Sequence, residues 1–408
     1  MKVIILTQYF PPETGAPQNR LSAIARDLAS SGAEVTVLTG MPNYPEMRIQ
    51  EGYRRKVHLR EEIDGYTIHR AWLYVSKGRG MIDRLMNYFS FVFTSLFIGL
   101  FKLRRADILF VESPPLFLGI TAIVLARAKS AKLVFNVSDL WPESAVQLGL
   151  VKNRTVIRLS EWLEMKCYRR SALITGQTKG IVRNINSRCP GKKVLWLPNG
   201  VDLEAVSGAK MDPGARSRHG LPENTLLITY AGIIGHAQGL DVIIRAAAEL
   251  RGRNVTFVLI GDGPVKQELK DLAAELNVID GVRFIDRIPR AEVLSIVRNG
   301  DAVVVPLKRN DLFKGAIPSK IFEAMALERP ILLGVDGEAR ELFIDEGKGG
   351  LYFTPEDHKD LARSILIYLN DPRRMEDDGR SGSRYVRQHF ERRTINMRLF
   401  HALKEMVG

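Results

Sequence analysis

Residues 306–331 read PLKRNDLFKGAIPSKIFEAMALERPI. Lys308, Arg309, Lys314 and Lys320 crowd ahead of Glu323, with Gly315 and Pro318 between them, and SKIFEAMA reads as the first turns of a helix. Cations at the start of a helix can meet an anion, because the unpaired N–H groups of the first turn add positive charge. Glu323, one turn in, could accept from a pair of hydroxyls or simply favour the helix dipole. Taken alone, the cluster is equally a solvated loop, and the rest of the chain has to decide.

Four further segments follow apolar runs in the same manner. TQYFPPETGAPQNRL is a proline-rich loop with Gly15 just ahead of a helix, where backbone N–H groups can approach a phosphate or a sugar hydroxyl. NVSDLWPES places Ser138, Asp139, Trp141 and Glu143 directly after an apolar strand, with helix capping as the simpler role for Ser138 or Asp139. LPNGVD is an Asn-Gly turn. YAGIIGHAQGLDVIIRAA spreads Gly232, Gly235 and Gly239 ahead of a helix that they are expected to open, and LIGDGP adds Gly261 at another strand end. The G-x-x-G-x-x-x-G spacing, with no acidic residue after a second strand, is not a dinucleotide fingerprint, so a nicotinamide cofactor is rejected.

These loops need a scaffold that lines them up, and the apolar runs supply one. KVIILT, EVTVLTG, DILFVES, KLVFNVSDL, ALITGQ and KVLWLPNG alternate with amphipathic stretches, and after GAKMDPGARSRHGLPENT the rhythm restarts with LLITYAG, VTFVLIGDGP, VRFIDRIP and AVVVPL. Continuous apolar strands separated by helices predict parallel sheets covered on both faces. The fold class is α/β, as two doubly wound lobes over about 1–200 and 201–387. Ligands in such sheets sit beyond the carboxyl ends of the strands, where all five loops lie.

The 408 residues carry 59 Lys and Arg against 46 Asp and Glu, a net charge of +13. That balance suits a polyanionic partner, and with no zinc spacing, aromatic RNA-binding signature or helix-turn-helix, nucleic acid falls behind phosphate-bearing small molecules and anionic lipid. Two cysteines, Cys167 and Cys189, lack metal-ligand spacing and fit a reducing compartment, so the expected location is cytoplasmic. The opening MKVIILTQYFPP reads as a buried first strand rather than a signal peptide. Arg79 to Arg105 departs from the pattern: about seventeen mostly apolar residues rich in phenylalanine, flanked by Arg79, Arg84, Lys102, Arg104 and Arg105. It could be a helix buried on the first sheet, a helix at a bilayer interface with Phe89, Phe91, Phe93 and Phe97 among acyl chains, or a full span.

Taken together and in order, the Gly15 loop, WLPNGVD, the YAG…G…GL helix start, IGDGP and P…F…IFEAMALERPIL resemble the family 4 retaining glycosyltransferases, which have the GT-B fold. The resemblance covers nearly the whole chain. YFPPETGAPQNR, DLWPES and AQGLD look most like enzymes that transfer N-acetyl-L-fucosamine or similar amino sugars in O-antigen and capsule assembly. The family implies two Rossmann-like lobes with an active site in their cleft, a nucleotide-sugar donor held by the C-terminal lobe and an acceptor by the N-terminal one. It also implies that no metal or other cofactor is required and that the last helix, over about 388–408, returns to the first lobe.

By the same resemblance, Gly15, Gly235, Gly261, Arg287, Ile288, Lys314, Ser319, Lys320 and Glu323 are donor-binding, and Ser138, Asp139 and Trp141 are acceptor-side. Asp139, Lys320 and Glu323 are the residues expected to matter most to catalysis, with no protein nucleophile. The chain also departs from its family. Ile233 and Gln238 stand where an Arg and a Lys commonly grip the diphosphate, Gly315 replaces the first of two glutamates, and Ser138 replaces a histidine. Lys308, Lys314 and Lys320 are expected to restore the missing charge, with N–H groups at Ser319 and Lys320 joining them.

The resulting expectation is a retaining transferase that uses a UDP-linked N-acetylated amino or deoxy sugar. Its acceptor would be polyprenyl-diphosphate-linked, at the inner face of the cell membrane. A nucleotide-sugar 2-epimerase and a catalytically dead membrane-associated subunit are the rival readings.

Overall fold

The structure, a computed structural model, describes residues 1–44, 46–76, 81–147, 151–208, 212 and 214–408. The chain divides into two compact units, Met1–Asn199 with Arg393–Gly408, and Gly200–Arg392. The helix Arg392–Val407 thus belongs to the first unit almost entirely, and the chain leaves the second unit at a break near Phe390, a few residues later than the sequence reading placed it.

Among the described residues the first unit holds an eight-stranded sheet: β1 (Lys2–Leu6), β2 (Glu34–Gly40), β3 (His58–Ile63), β4 (Tyr66–Ala71), β5 (Ile108–Ser113), β6 (Lys132–Val137), β7 (Leu173–Gly176) and β8 (Val194–Trp196). Their order is β3-β4-β2-β1-β5-β6-β7-β8. The expectation of a wholly parallel sheet is corrected at one edge, where β3 pairs antiparallel with β4 through the short Asp64-Gly65 turn. Strands β1, β5 and β6 are almost wholly buried and largely apolar because helices cover both faces, with Glu112 and Asn136 as buried polar exceptions near their carboxyl ends. Ala16–Ser30 and the C-terminal helix pack Leu21, Ile24, Ile395 and Leu399 on one face, and Met81–Lys102, Leu118–Ala128 and Arg154–Arg170 cover the other. Both cysteines are buried and free.

Among the described residues the second unit has a six-stranded, all-parallel sheet: β9 (Leu226–Ala231), β10 (Val255–Ile260), β11 (Val282–Ile285), β12 (Ala302–Pro306), β13 (Ile331–Gly334) and β14 (Gly350–Tyr352), ordered β11-β10-β9-β12-β13-β14. The switch in strand order beside β9 opens a crevice at the carboxyl ends of β9 and β12, the place where such sheets take ligands.

The apolar segment after Arg79 forms the helix Met81–Lys102; Arg79 itself and the side chain of Arg84 lie outside the described residues. It is long and apolar enough to cross a bilayer, yet Asn87, Phe91, Val92, Ser95 and Ile98 are buried. Asn87 accepts from Gln8 Nε2 at 2.6 Å and donates to the Tyr74 carbonyl at 2.6 Å. A full span would move these polar groups into lipid. Two of the four phenylalanines expected at an acyl boundary are also corrected: Phe91 is core, and Phe89 is half-buried with its ring 4.8 Å from that of Phe117. The 3.6-residue period turns Phe93, Phe97 and Phe101 outward instead.

Candidate functional site

In the first unit, the carboxyl ends of β5, β6 and β7 hold a closed polar cluster. Arg20, on the helix Ala16–Ser30, reaches Glu112 at the end of β5 with Nη2 to Oε1 at 2.5 Å, and both side chains are buried. Nη2 also donates to Ser138 Oγ at 2.7 Å, and the Ser138 hydroxyl donates to the same Glu112 oxygen at 2.5 Å. Asn136 Nδ2 serves the other carboxylate oxygen at 2.5 Å, Thr175 donates to Asn136 Oδ1 at 2.5 Å, and Arg20 Nη1 donates to Asn199 Oδ1 at 3.1 Å. A buried ion pair is held only when its remaining valences are met, and these neighbours meet most of them; Arg20 Nε keeps no partner.

Ser138 is therefore the half-exposed lip of a buried network rather than a helix cap. Asp139 follows it. Part of Asp139 faces solvent, but protein atoms crowd the carboxyl and push its pKa up, against hydrogen bonds from the Ser144 hydroxyl and the Leu140 N–H. Trp141 packs edge-on to Phe117 with centroids 5.4 Å apart. Gly15 caps the Ala16–Ser30 helix in an extended conformation, without left-handed strain. Just before it, buried Glu13 accepts from the N–H groups of Asn43 at 2.7 Å and Tyr44 at 2.8 Å, pinning the first loop to the loop after β2. Burial pushes the Glu13 pKa up while those N–H groups oppose it.

In the second unit the expected donor residues follow the carboxyl ends of β9, β10, β11 and β12. The glycines do not open the helix as expected: a short 3₁₀ turn, His236–Gln238, intervenes, Gly235 caps that turn, and the helix begins at Asp241. Gly261 has φ of 141°, and a Cβ there would lie 2.0 Å from the Gly232 carbonyl oxygen, so the two loops touch backbone to backbone. Lys266 fixes this turn, donating to the Gly261 carbonyl at 2.8 Å and to Asp286 at 2.6 Å. Asp286 immediately precedes Arg287, which is exposed, and Ile288, which is half-buried.

Lys320 and Glu323 lie on the seven-residue helix Lys320–Ala326, with exposed Ser319 as its N-cap, one position earlier than the sequence suggested. Lys320 Nζ sits 3.6 Å from the Tyr230 ring centroid and 3.0 Å from where a Gly232 Cβ would be, and thus faces the touching loops. Burial pulls its pKa from 10.5 down to about 7, with Glu323 pulling the other way. Glu323 is engaged by Arg290, whose Nη2 donates to Oε1 at 2.7 Å. Of the other substitute cations, Lys308 passes beside Gly239, whereas Lys314 is exposed and paired with Asp311 at 2.7 Å, so its charge is partly spent on its own loop.

Asp139 belongs to the first unit, and Lys320 and Glu323 to the second. The sequence reading missed Arg20, Glu112, Asn136 and Thr175, although a carboxylate inside the apolar run DILFVES was a signal, since buried acids need partners. It also missed Arg290, which no local spacing ties to Glu323. Among the described residues no group of three or more His, Cys, Asp or Glu side chains could hold a metal ion.

Residues 15–200 match the glycosyl transferase 4-like domain, and residues 212–384 match glycosyl transferases group 1. WcaI of Escherichia coli K12, assigned by name to colanic acid biosynthesis, is 26% identical over 335 residues, 80% of this chain and 81% of that one. A D-inositol 3-phosphate glycosyltransferase of Stackebrandtia nassauensis is 34% identical over 204 residues, 46% of this chain and 43% of the relative. Among solved structures, the sucrose-phosphate synthase of Thermosynechococcus elongatus superposes with a TM-score of 0.75 at 16% identity, covering 100% of this chain and 99% of that one. HepE of Anabaena, solved with UDP and glucose, gives 0.72 at 17% identity, covering 99% of this chain and 100% of that one. With both halves matched in order and both sheets doubly wound, the chain belongs to the family 4, group 1 glycosyltransferases of GT-B fold, and it is a glycosyltransferase.

Proposed function

We propose that the enzyme transfers an N-acetylated amino or deoxy sugar, with retention, from a UDP-linked donor to a polyprenyl-diphosphate-linked glycan in surface polysaccharide assembly. The observation that carries the donor side is the pairing, on one helical turn, of Lys320 against the Gly232 and Gly261 loops with Glu323 held by Arg290. A nucleoside diphosphate offers a matching pair of chemistries: phosphate charge for the lysine and a ribose diol for the carboxylate.

In this reading the acceptor hydroxyl attacks the anomeric carbon from the face that the diphosphate leaves. The carbon–oxygen bond to phosphate breaks, and the hydroxyl proton passes to the departing phosphate oxygen. The charge growing on that diphosphate meets Lys320, Lys308 and backbone N–H groups, with no metal needed. Ser138, Asp139 and Trp141 serve the acceptor side. The likeness to a protein named for colanic acid biosynthesis, together with the DLWPES and AQGLD segments, supports the surface-polysaccharide acceptor. The exposed phenylalanines of Met81–Lys102 support work at the inner face of the cell membrane.

Calorimetry with UDP, GDP and ADP tests the nucleotide, and incubation of UDP-N-acetylated sugars with a short polyprenyl-diphosphate acceptor tests the transfer. The anomeric configuration of the product is then read by NMR. UDP failing to bind, or an inverted product, would overturn the reading. Epimerised sugar released without acceptor would favour the 2-epimerase instead.

A further inference from the structure

Three helices of the first unit lie side by side on one face of its sheet. Thr121 Oγ1 of Leu118–Ala128 donates to the Val92 carbonyl of Met81–Lys102 at 2.8 Å, and a Cβ on Gly99 would come within 2.5 Å of Leu125. On its other flank, a Cβ on Gly119 would lie 2.4 Å from Cys167 Sγ of Arg154–Arg170. Leu118–Ala128 is therefore the middle of the layer, and the outward sides of all three helices form one continuous surface.

That surface is apolar at its centre. Phe93, Phe97 and Phe101 are 62%, 64% and 75% exposed on the first helix, Ile120 and Val124 point outward on the middle one, and Leu159 and Trp162 are 59% and 56% exposed on the third. Each helix buries its opposite side: Phe91 and Ile98, Ala122 and Leu125, Leu163 and Cys167. Stable soluble proteins seldom leave so many large apolar groups together in water unless something covers them.

The rim identifies the cover. Lys102, Arg104 and Arg105 are exposed at the end of the first helix, Arg127 in the last turn of the second, and Arg154 and Arg158 along the third. Lys166 holds its ammonium 4.5 Å from the Trp162 ring centroid. Against these cations the three helices carry Asp83, Glu161 and Glu164, of which Glu164 is buried and bound to Tyr168 and Arg188. Two copies of the chain meeting on this face would bring their arginines together. An anionic lipid surface instead meets the cations with phosphates and the apolar centre with acyl chains. Tryptophan is suited to that boundary because its ring is apolar and its N–H polar.

We propose that the enzyme lies on an anionic bilayer by this whole three-helix face, so that Leu159 and Trp162 enter the interface together with Phe97 and Phe101. The inference rests on the membrane reading above and extends it from one helix to three, which fixes the orientation of the unit: the layer lies along the bilayer rather than standing on the end of one helix.

The test is sedimentation of the full chain with phosphatidylcholine vesicles, with and without phosphatidylglycerol. Leu159→Asp with Trp162→Asp should weaken binding to anionic vesicles by roughly tenfold or more, as should Phe97→Ser with Phe101→Ser. Neither pair should alter transfer to a water-soluble acceptor. Because a double variant could misfold, Trp162→Phe is paired with brominated lipid: quenching of wild-type fluorescence should fall in this conservative variant. Wild-type binding by the Leu159/Trp162 variant, or quenching unchanged in Trp162→Phe, overturns the three-helix face while leaving attachment through Met81–Lys102 standing. If the wild-type chain ignores anionic vesicles, or light scattering shows that this face joins two copies instead, both readings fail.

Discussion

The two units place charge at the carboxyl ends of their strands in opposite ways. In the first, Arg20 and Glu112 neutralise one another inside a network that also takes up Ser138, Asn136 and Thr175. In the second, Lys320 leans on the face of Tyr230 without a carboxylate in contact, and Glu323 is turned to Arg290. A neutralised cluster is a rigid wall. A half-buried cation with a desolvated ammonium and no counterion in contact is poised to gain one, and its anion then contributes both binding and transition-state stabilisation.

The sharpest way to break this contrast is to unpair the first cluster. Glu112→Ala leaves the Arg20 guanidinium buried without its carboxylate, and should cost about 3–5 kcal/mol of unfolding free energy, measured by urea denaturation. The same change made as Glu112→Gln, which keeps hydrogen bonds but not charge, should cost less. A loss under about 1 kcal/mol for Glu112→Ala would mean that water reaches the cluster.

Removing the waiting cation should act on rate instead. Lys320→Ala is expected to lower turnover by about 100- to 1000-fold while weakening bare UDP by much less, because the lysine faces charge that grows as the bond breaks. Equal small effects on both would make Lys320 a mere surface charge. Protonation sharpens the same point. With its pKa lowered to about 7 by burial, Lys320 is charged below that pH and loses its charge above it. A bound diphosphate raises the pKa, so affinity for UDP should be full below about pH 7 and fall as pH rises through it, by no more in total than Lys320→Ala costs in UDP binding. Lys320→Arg should flatten that profile in calorimetric titrations.

Smaller effects are expected at the carboxylate and the outer loop. Glu323→Ala should weaken UDP by roughly 1–3 kcal/mol, the usual cost of losing a charged hydrogen-bond partner, and should erase discrimination between UDP and 2′-deoxy-UDP. Unaltered affinity for both would remove the ribose assignment. Lys314→Ala, whose ammonium is exposed and already paired with Asp311, should change donor KM by no more than about twofold; a loss as large as that at Lys320 would show that the pair opens for the donor.

Much of this was legible beforehand because it depends on near neighbours in the chain. Apolar runs long enough for strands, separated by amphipathic stretches, set both doubly wound sheets, and the residues just after those runs had to lie at the ligand-binding ends. The β3–β4 hairpin escaped because its strand HLREEI is polar along one edge and lacks the apolar run that marks a covered strand. The outward set of phenylalanines was misjudged for a related reason: composition counts aromatic residues, but only the direction of packing says which side of a helix meets the sheet.

The sequence by itself determined which residues could carry the chemistry: Lys320 and Glu323 share a helical turn because they are three positions apart, and Ser138 follows β6 because the apolar run ends there. Tertiary structure alone decided their states. Arg20 meets Glu112 across 92 positions and Arg290 meets Glu323 across 33, and such pairings follow from strand order, which no local spacing encodes. The same applies to Lys320: its ammonium meets the ring of Tyr230, ninety positions earlier in the chain, and burial in the folded unit pulls its pKa down to about 7.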